Sequence, residues 1–325
     1  MTESILSKRP LGKTGLYVTP LCVGGAPLGD MPETFAYSAP EENALATIRA
    51  AFASPINFLD TAAAYGDGES ERRIGKVIKE MGGLPPGFVL ATKADRCLKT
   101  GDFSGEQIKR SIEGSLERLG LDRLQYVYIH DPEHTTFENV MGPGGPLEVL
   151  KNYKDQGVIE HIGISGGPIK MLIRYVETGE FSAVETHNRY TLLNRSAEPL
   201  LDVANRLGVA VINAAPYGSG MLAKGPDAYA RYAYTDAPPS LIERARKIAA
   251  ICQEFNVPLA AAALQFSMRD PRITSTVVGM TKPERVTQTL ELARYPIPSE
   301  LWSALEEVGY DMDDPEANRF PWLER

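Results

Sequence analysis

Short apolar runs alternate with longer amphipathic stretches along most of the chain. Eight runs read as strands: 21–24, 57–60, 88–93, 125–130, 158–164, 183–187, 209–214 and 275–278. Each is brief and rich in Val, Ile, Leu, Phe or Tyr, as a strand buried on both faces should be. Helical periodicity fills the intervals at 41–53, 69–80, 105–119, 147–156, 168–178, 197–207, 240–255, 259–269 and 283–293. The stretch 105–119 shows the logic. Ser104 can cap its first turn, and Ile108, Ile112, Leu116 and Leu119 recur at three- and four-residue spacing on one face. Lys109, Arg110, Glu113 and Glu117 take the other face, and Gly120 ends the helix. Gly82-Gly83, Gly157 and Gly208 end three other helical runs in the same way.

Eight strands, each followed by a helix, predict an α/β protein: one (β/α)8 TIM barrel domain spanning residues 1–325. No Gly-rich GxGxxG turn follows a strand, which argues against an open dinucleotide-binding sheet. Two features lie outside the eightfold pattern. A β-hairpin at 9–18, turning at Lys13-Thr14-Gly15, precedes the first strand, and a tail at 298–325 is expected over the barrel. The stretch 223–239 carries Tyr229, Tyr232 and Tyr234. It reads either as a cover over the barrel top or as a plain surface excursion.

Composition narrows the function classes. The 325 residues include 34 Lys+Arg against 42 Asp+Glu, a net charge of −8 with no basic run, so nucleic acid is a poor partner. A chain this long buries a core without disulfides or a structural metal. Cys22, Cys97 and Cys252 are odd in number and form no CxxC, so no metal site is expected. The first residues lack a signal-peptide pattern, and no run reaches the roughly 18 apolar residues of a membrane span. The expectation is a cytoplasmic protein, a monomer or small homo-oligomer, acting on a small molecule.

In a barrel of this kind the carboxyl ends of the strands form the active face. Those ends read Gly24-Gly25, Asp60, Lys93, His130, Ser165, His187 and Ala214. Packing does not ask for Asp, Lys and His at three successive strand ends, because buried ionisable groups cost several kcal/mol unless paired, roughly speaking. Asp60 and Lys93 can pair, and Tyr65 follows Asp60 closely enough to lean over the same mouth. Taken singly, Asp60 reads as a loop anchor, Tyr65 as a packed aromatic and His130 as a satisfied core histidine. Together they suit proton transfer at a carbinol or carbonyl oxygen, with Lys93 lowering the pKa of Tyr65, Asp60 holding Lys93 and His130 bonding the reacting oxygen. Gly163-Ile164-Ser165-Gly166-Gly167 also matches the GxSxG nucleophile elbow of hydrolases. His187 follows too soon to serve it and no later histidine exists, so that reading is rejected.

The segments RPLGKTGLYVTPLCVGG, NFLDTAAAYGDGESERRIGKVIKE, VLATKAD, IHDP, GVIEHIGIS, APYGSGMLAKG and VVGMTKPERV resemble the aldo-keto reductase superfamily over nearly the whole chain. The resemblance implies an enzyme: a barrel that binds NADP or NAD without a Rossmann domain. It implies Tyr65 as the proton donor or acceptor, Lys93 and Asp60 as its tuning pair, and His130 as the group orienting the substrate oxygen. For the cofactor it implies Gly24 and Gly25 beneath the nicotinamide and Ser165 at its carboxamide. It implies Tyr217, Gly218, Ser219, Gly220 and Leu222 around the pyrophosphate, and Gly279, Thr281, Lys282, Arg285 and Gln288 at the adenosine end.

The chain departs from the family pattern at several points. Gly166 stands where many members have Asn, and His187 where many have Gln, so His187 is the implied carboxamide partner. Ala214 marks where a stacking aromatic is often found. Gly279 replaces a common Lys, so both cofactors are expected with a lean toward NADP. THNRYTLLNR, NAAPYGSGMLAKG and IHDP are similar to the branch holding L-fucose, D-threo-aldose and L-galactose dehydrogenases. That branch oxidises C1 of a ring sugar to a lactone. Pyridoxal 4-dehydrogenases, general carbonyl reductases and cofactor-sensing channel subunits are the alternatives. Expected substrate contacts are Asp30, Met31, His134, Arg189, Tyr190 and Trp322, with Phe320 beside it. Arg189 reads otherwise as a solvated loop charge, and Trp322 as a seal on the barrel rim.

Overall fold

A computed structural model describes residues 6–35 and 37–319. Its eight parallel strands are β1 (Leu21–Gly24), β2 (Phe58–Asp60), β3 (Val89–Ala94), β4 (Leu124–His130), β5 (Ile159–Ser165), β6 (Ala183–His187), β7 (Ala210–Ala214) and β8 (Ile273–Gly279). They hydrogen-bond in sequence order, and β8 closes the ring onto β1 from Thr276↔Leu21 to Gly279↔Gly24. The (β/α)8 barrel is therefore the fold, with strand limits within two residues of those read from the apolar runs.

Two apolar layers hold it together. The outer layer lies between strands and helices, where Ile48, Ile74, Ile112, Leu200 and Leu264 are fully buried. The inner layer fills the barrel itself with Cys22, Phe58, Tyr126, Tyr128 and Ile212. The N-terminal hairpin, Arg9–Pro10 paired with Tyr17–Val18, supplies Leu11 and Val18 to that same cluster and plugs the amino end of the barrel. Helix Gly105–Leu119 is capped as its sequence predicts: the Ser104 side chain accepts from the Gln107 amide at 3.3 Å, and Gly120 adopts a left-handed φ of 66°.

The tail contains a helix the periodicity did not single out, Ser299–Glu307, which buries only Leu301 and Leu305. A stripe of two residues is too short to stand out in a sequence. Beyond it the chain runs along the loop after β6: the Arg195 amide donates to the Asp311 carbonyl at 2.8 Å, and Asn194 to that of Asp313 at 2.8 Å. The stretch 223–239 folds back as a short hairpin, Arg231–Tyr232 with Thr235–Asp236. Tyr229 and Tyr234 border the cavity at the barrel mouth, the first of the two readings. Phe320 and Trp322 lie outside the described residues. Among those residues, no helix is long and apolar enough to cross a membrane.

Candidate active site

A cavity of about 920 Å3 opens at the carboxyl ends of the strands. Asp60 ends β2, Lys93 lies near the end of β3 and His130 ends β4, so three neighbouring strands deliver them to the carboxyl end of the ring, Lys93 two residues beyond the register partner of Asp60 and His130 two beyond that of Lys93. Tyr65 lies in the turn after β2, where the amide of Ala64 donates to Asp95 Oδ2 at 2.8 Å and fixes the loop. The Lys93 ammonium is fully buried. It bonds Asp60, the Thr61 carbonyl at 3.1 Å and the Tyr65 hydroxyl at 3.2 Å. The four residues singled out from the strand ends are therefore in mutual reach, with the His130 ring edge-on to Tyr65 at 5.7 Å between centroids.

Two acidic groups beside them were not read from the sequence. Asp95 Oδ1 takes His130 Nδ1 at 2.6 Å, and Asp131 Oδ1 lies 3.5 Å from His130 Nε2. Burial opposes a charged imidazole, but Asp131 and Asp95 prevail and push the His130 pKa up to about 9. Asp131 follows His130 directly in IHDP, and Asp95 lies two residues past Lys93, so sequence proximity was the available signal. A third unforeseen group is Glu185, on β6 in AVETH, whose Oε1 is 3.6 Å from Lys93 Nζ.

Burial and charge act on Tyr65 in opposite directions. Burial raises its pKa well above the ordinary phenol, Lys93 draws it back, and Asp60 and Glu185 push it up again. Lys93 thus lowers the pKa of Tyr65 as expected, but burial outweighs it and the phenol is held protonated. Burial works against the Lys93 charge, yet Asp60 and Glu185 keep its pKa above the usual lysine value. Asp60 is held above the usual carboxylate range by burial and Glu185, against the pull of Lys93.

The remaining expected residues divide. Gly24, Met31, His134, Ser165, His187, Tyr217, Ser219, Gly220, Gly279, Thr281, Lys282, Arg285 and Gln288 all border the cavity. Asp30 faces an adjoining shallow pocket instead and accepts the Ala39 amide at 2.8 Å. Gly25, Gly218 and Leu222 stand behind the wall. A Cβ on Gly25 would sit 2.8 Å from the Asp60 carbonyl, so this glycine serves strand packing.

Arg189 and Tyr190, expected at the mouth, are buried elsewhere. Arg189 binds Glu316 Oε2 at 2.8 Å and Asp314 Oδ1 at 2.6 Å, clamping the tail. Tyr190 donates to Asp270 at 2.6 Å. What reaches the cavity from this clamp is Glu316, which takes His187 Nε2 at 2.9 Å. His187 is raised by Glu316 against its burial, and Glu316 is held below the usual carboxylate range by His187 and Arg189 despite burial.

The cavity suits a nicotinamide dinucleotide by its own chemistry. Its inner end has the half-buried Tyr65, with Lys93 behind it, and a floor at Gly24, where there is no side chain. Its outer arm gathers Lys224, Lys282 and Arg285, cations fit for phosphates. Lys224 Nζ stands 4.1 Å from the Tyr229 ring centroid. Gly166 lets Glu133 pack closely beside Ser165, since an added Cβ would meet Glu133 Oε2 at 2.7 Å.

Comparison with known proteins agrees. The Aldo/keto reductase family pattern matches residues 20–309. A D-threo-aldose 1-dehydrogenase from Pseudomonas is 32% identical, over 90% of this chain and 95% of its own. An L-galactose dehydrogenase from Arabidopsis thaliana is 31% identical, over 94% and 91%. A pyridoxal 4-dehydrogenase from Microbacterium luteolum is 29% identical, over 93% and 97%. A solved aldo-keto reductase from Bacillus halodurans, in a holo form, superposes with a TM-score of 0.78 at 22% identity, covering 97% of this chain and 99% of that one. That likeness bears on the fold. The family match and the relatives go further: this chain belongs to the aldo/keto reductase family, enzymes that act on CH–OH and carbonyl groups.

Proposed function

We propose that the protein is an NAD(P)-dependent dehydrogenase that oxidises C1 of a free aldose, in its ring form, to the lactone. The observation that carries this reading is the polar mouth around His130, where Arg96, Asp131 and His134 border the cavity. A ring sugar offers hydroxyls in fixed directions, and charged groups at fixed positions select among them. The activities named for the Pseudomonas and Arabidopsis relatives point the same way. Lys282 and Arg285 support use of both cofactors with a lean toward NADP.

When bound, the nicotinamide supplies the acceptor for the hydride leaving C1. Tyr65 takes the anomeric proton, and Lys93 at 3.2 Å favours the phenolate that this requires. Asp60 fixes Lys93 in place. His130, held through Nδ1 by Asp95, turns Nε2 toward the reacting oxygen. Because burial keeps the phenol protonated, oxidation speeds up as pH rises, while carbonyl reduction, which uses the phenol as an acid, does not.

Pyridoxal is the second reading, favoured by the relative named for it. It too offers a ring hemiacetal. The test is reduction of NAD and NADP with L-fucose, L-galactose, D-arabinose, D-glucose and pyridoxal in parallel, with products identified by mass. Lactone from an L-fucose-like sugar, with poor turnover of D-glucose, is the expected result. Pyridoxal outperforming every sugar selects the second reading, and activity confined to simple aldehydes removes both.

A further inference from the structure

Several charges near the inner half of the cavity pair off, while the cations of its outer arm stand apart from them. His130 meets Asp95 and Asp131, and Arg96 Nη1 stands 3.6 Å from Asp131. His187 and Arg189 meet Glu316 and Asp314. At the inner end, a single ammonium, Lys93, faces two carboxylates, Asp60 and Glu185. Glu185 is 5% exposed and borders the cavity, and its Oε2 has no hydrogen-bond partner. Asp60 Oδ1 has none either. Burying a carboxylate oxygen without a partner is costly, and low surrounding polarity makes its field strong at short range. Neighbours on the adjacent strands offer it no cation: Glu185 pairs in register with Ser165 on β5 and Ile212 on β7.

The oxidised nicotinamide ring carries a positive charge and the reduced ring carries none. We propose that Glu185 is the residue that sets this site's preference between the two, its carboxylate, which shares Lys93 with Asp60 and leaves Oε2 without a hydrogen bond, drawing in the oxidised cofactor and so biasing the enzyme toward dehydrogenation. This rests on the reading of the cavity as a nicotinamide site. In this role Glu185 is distinct from the pair that moves the proton: it acts on the charge of the cofactor ring and leaves the substrate oxygen to Tyr65 and His130.

The test is equilibrium binding of oxidised and reduced cofactor, NAD and NADP each, to the unaltered protein and to Glu185→Gln and Glu185→Asp, with no substrate present. A unit charge a few ångströms from the ring in a partly buried site is worth roughly a tenfold change in affinity or more. Glu185→Gln is expected to weaken the oxidised form by about that factor and leave the reduced form within about twofold, while Glu185→Asp keeps the original ratio. An unchanged ratio in Glu185→Gln, or an equal loss for both forms, overturns the proposal, because a merely structural glutamate would behave so. Should Glu185→Gln fail to fold, the unaltered protein decides: tighter binding of the reduced form overturns the proposal, and tighter binding of the oxidised form supports it. Failure of the unaltered protein to bind either form removes the nicotinamide reading itself, and the proposal with it.

Discussion

The two ends of the barrel are built from the same strands in opposite ways. At the amino end, Leu11 and Val18 of the hairpin close over Phe58, Tyr126 and Ile212 in an apolar cluster. At the carboxyl end, the same β2, β3 and β4 carry Asp60, Lys93 and His130 at or near their ends, buried, the first two held by each other and His130 by Asp95. Apolar burial needs no particular partner, so the closed end tolerates exchange of shape for shape. The open end is held by pairs, each of which becomes a liability when one member is lost. Its stability and its chemistry therefore reside in the same side chains, whereas at the closed end they are separate.

The sharpest way to break this contrast is Tyr65→Phe. It removes one oxygen at the open end and should lower turnover by about a hundred- to ten-thousandfold while both cofactors still bind. Near-normal turnover would leave the proton without its carrier. Arg189→Leu comes next. Losing the partner of Asp314 and Glu316 should cost about 3–5 kcal/mol in denaturant unfolding and loosen His187 as well. Leu11→Ala makes the matching cut at the closed end. A loss of about 3 kcal/mol is expected there with activity per folded molecule unchanged, and an altered KM would blur the division between the two ends.

A comparable effect comes from pH. The folded state holds the His130 proton more tightly, with a pKa near 9 against the ordinary 6.5. Its stabilisation is complete below pH 6.5 and lost as pH climbs through 9, a window in which the unfolding free energy should fall by about 3 kcal/mol. In His130→Gln that slope should flatten, and an unchanged slope would assign the titration to another group. The mildest test is Arg285→Ala. Arg285 is exposed, so its attraction for a phosphate is partly screened, and NADP affinity should drop about fivefold relative to NAD.

What could be read from the chain follows the same division. Strands buried on both faces announce themselves as apolar runs, and β1 and β6 match their expected limits to the residue. The four clustered groups were legible because each sits at or near a strand end or in the turn after one, where packing does not call for it. Glu185 was not, since one polar residue in a run such as AVETH does not tell which neighbour it meets. Arg189 was misplaced because an arginine just past a strand reads as solvent-facing, and its partners Asp314 and Glu316 lie 125 and 127 residues away in the chain. Pairs that distant leave no local pattern, and the tail helix, with two buried leucines, leaves almost none.

Closure of the ring through β1 and β8 also bears on how the protein is made. β1 leaves the ribosome early, but one of its two neighbours, β8, begins only at Ile273. At about 5–20 residues per second, that edge waits roughly ten to fifty seconds for its partner. During that time the nascent chain carries a short, apolar, unpaired strand edge, the kind that recruits other chains. Cys22 and Val23 lie on that edge, so thiol-specific labelling of Cys22 in stalled chains of increasing length would time the moment at which the ring shuts.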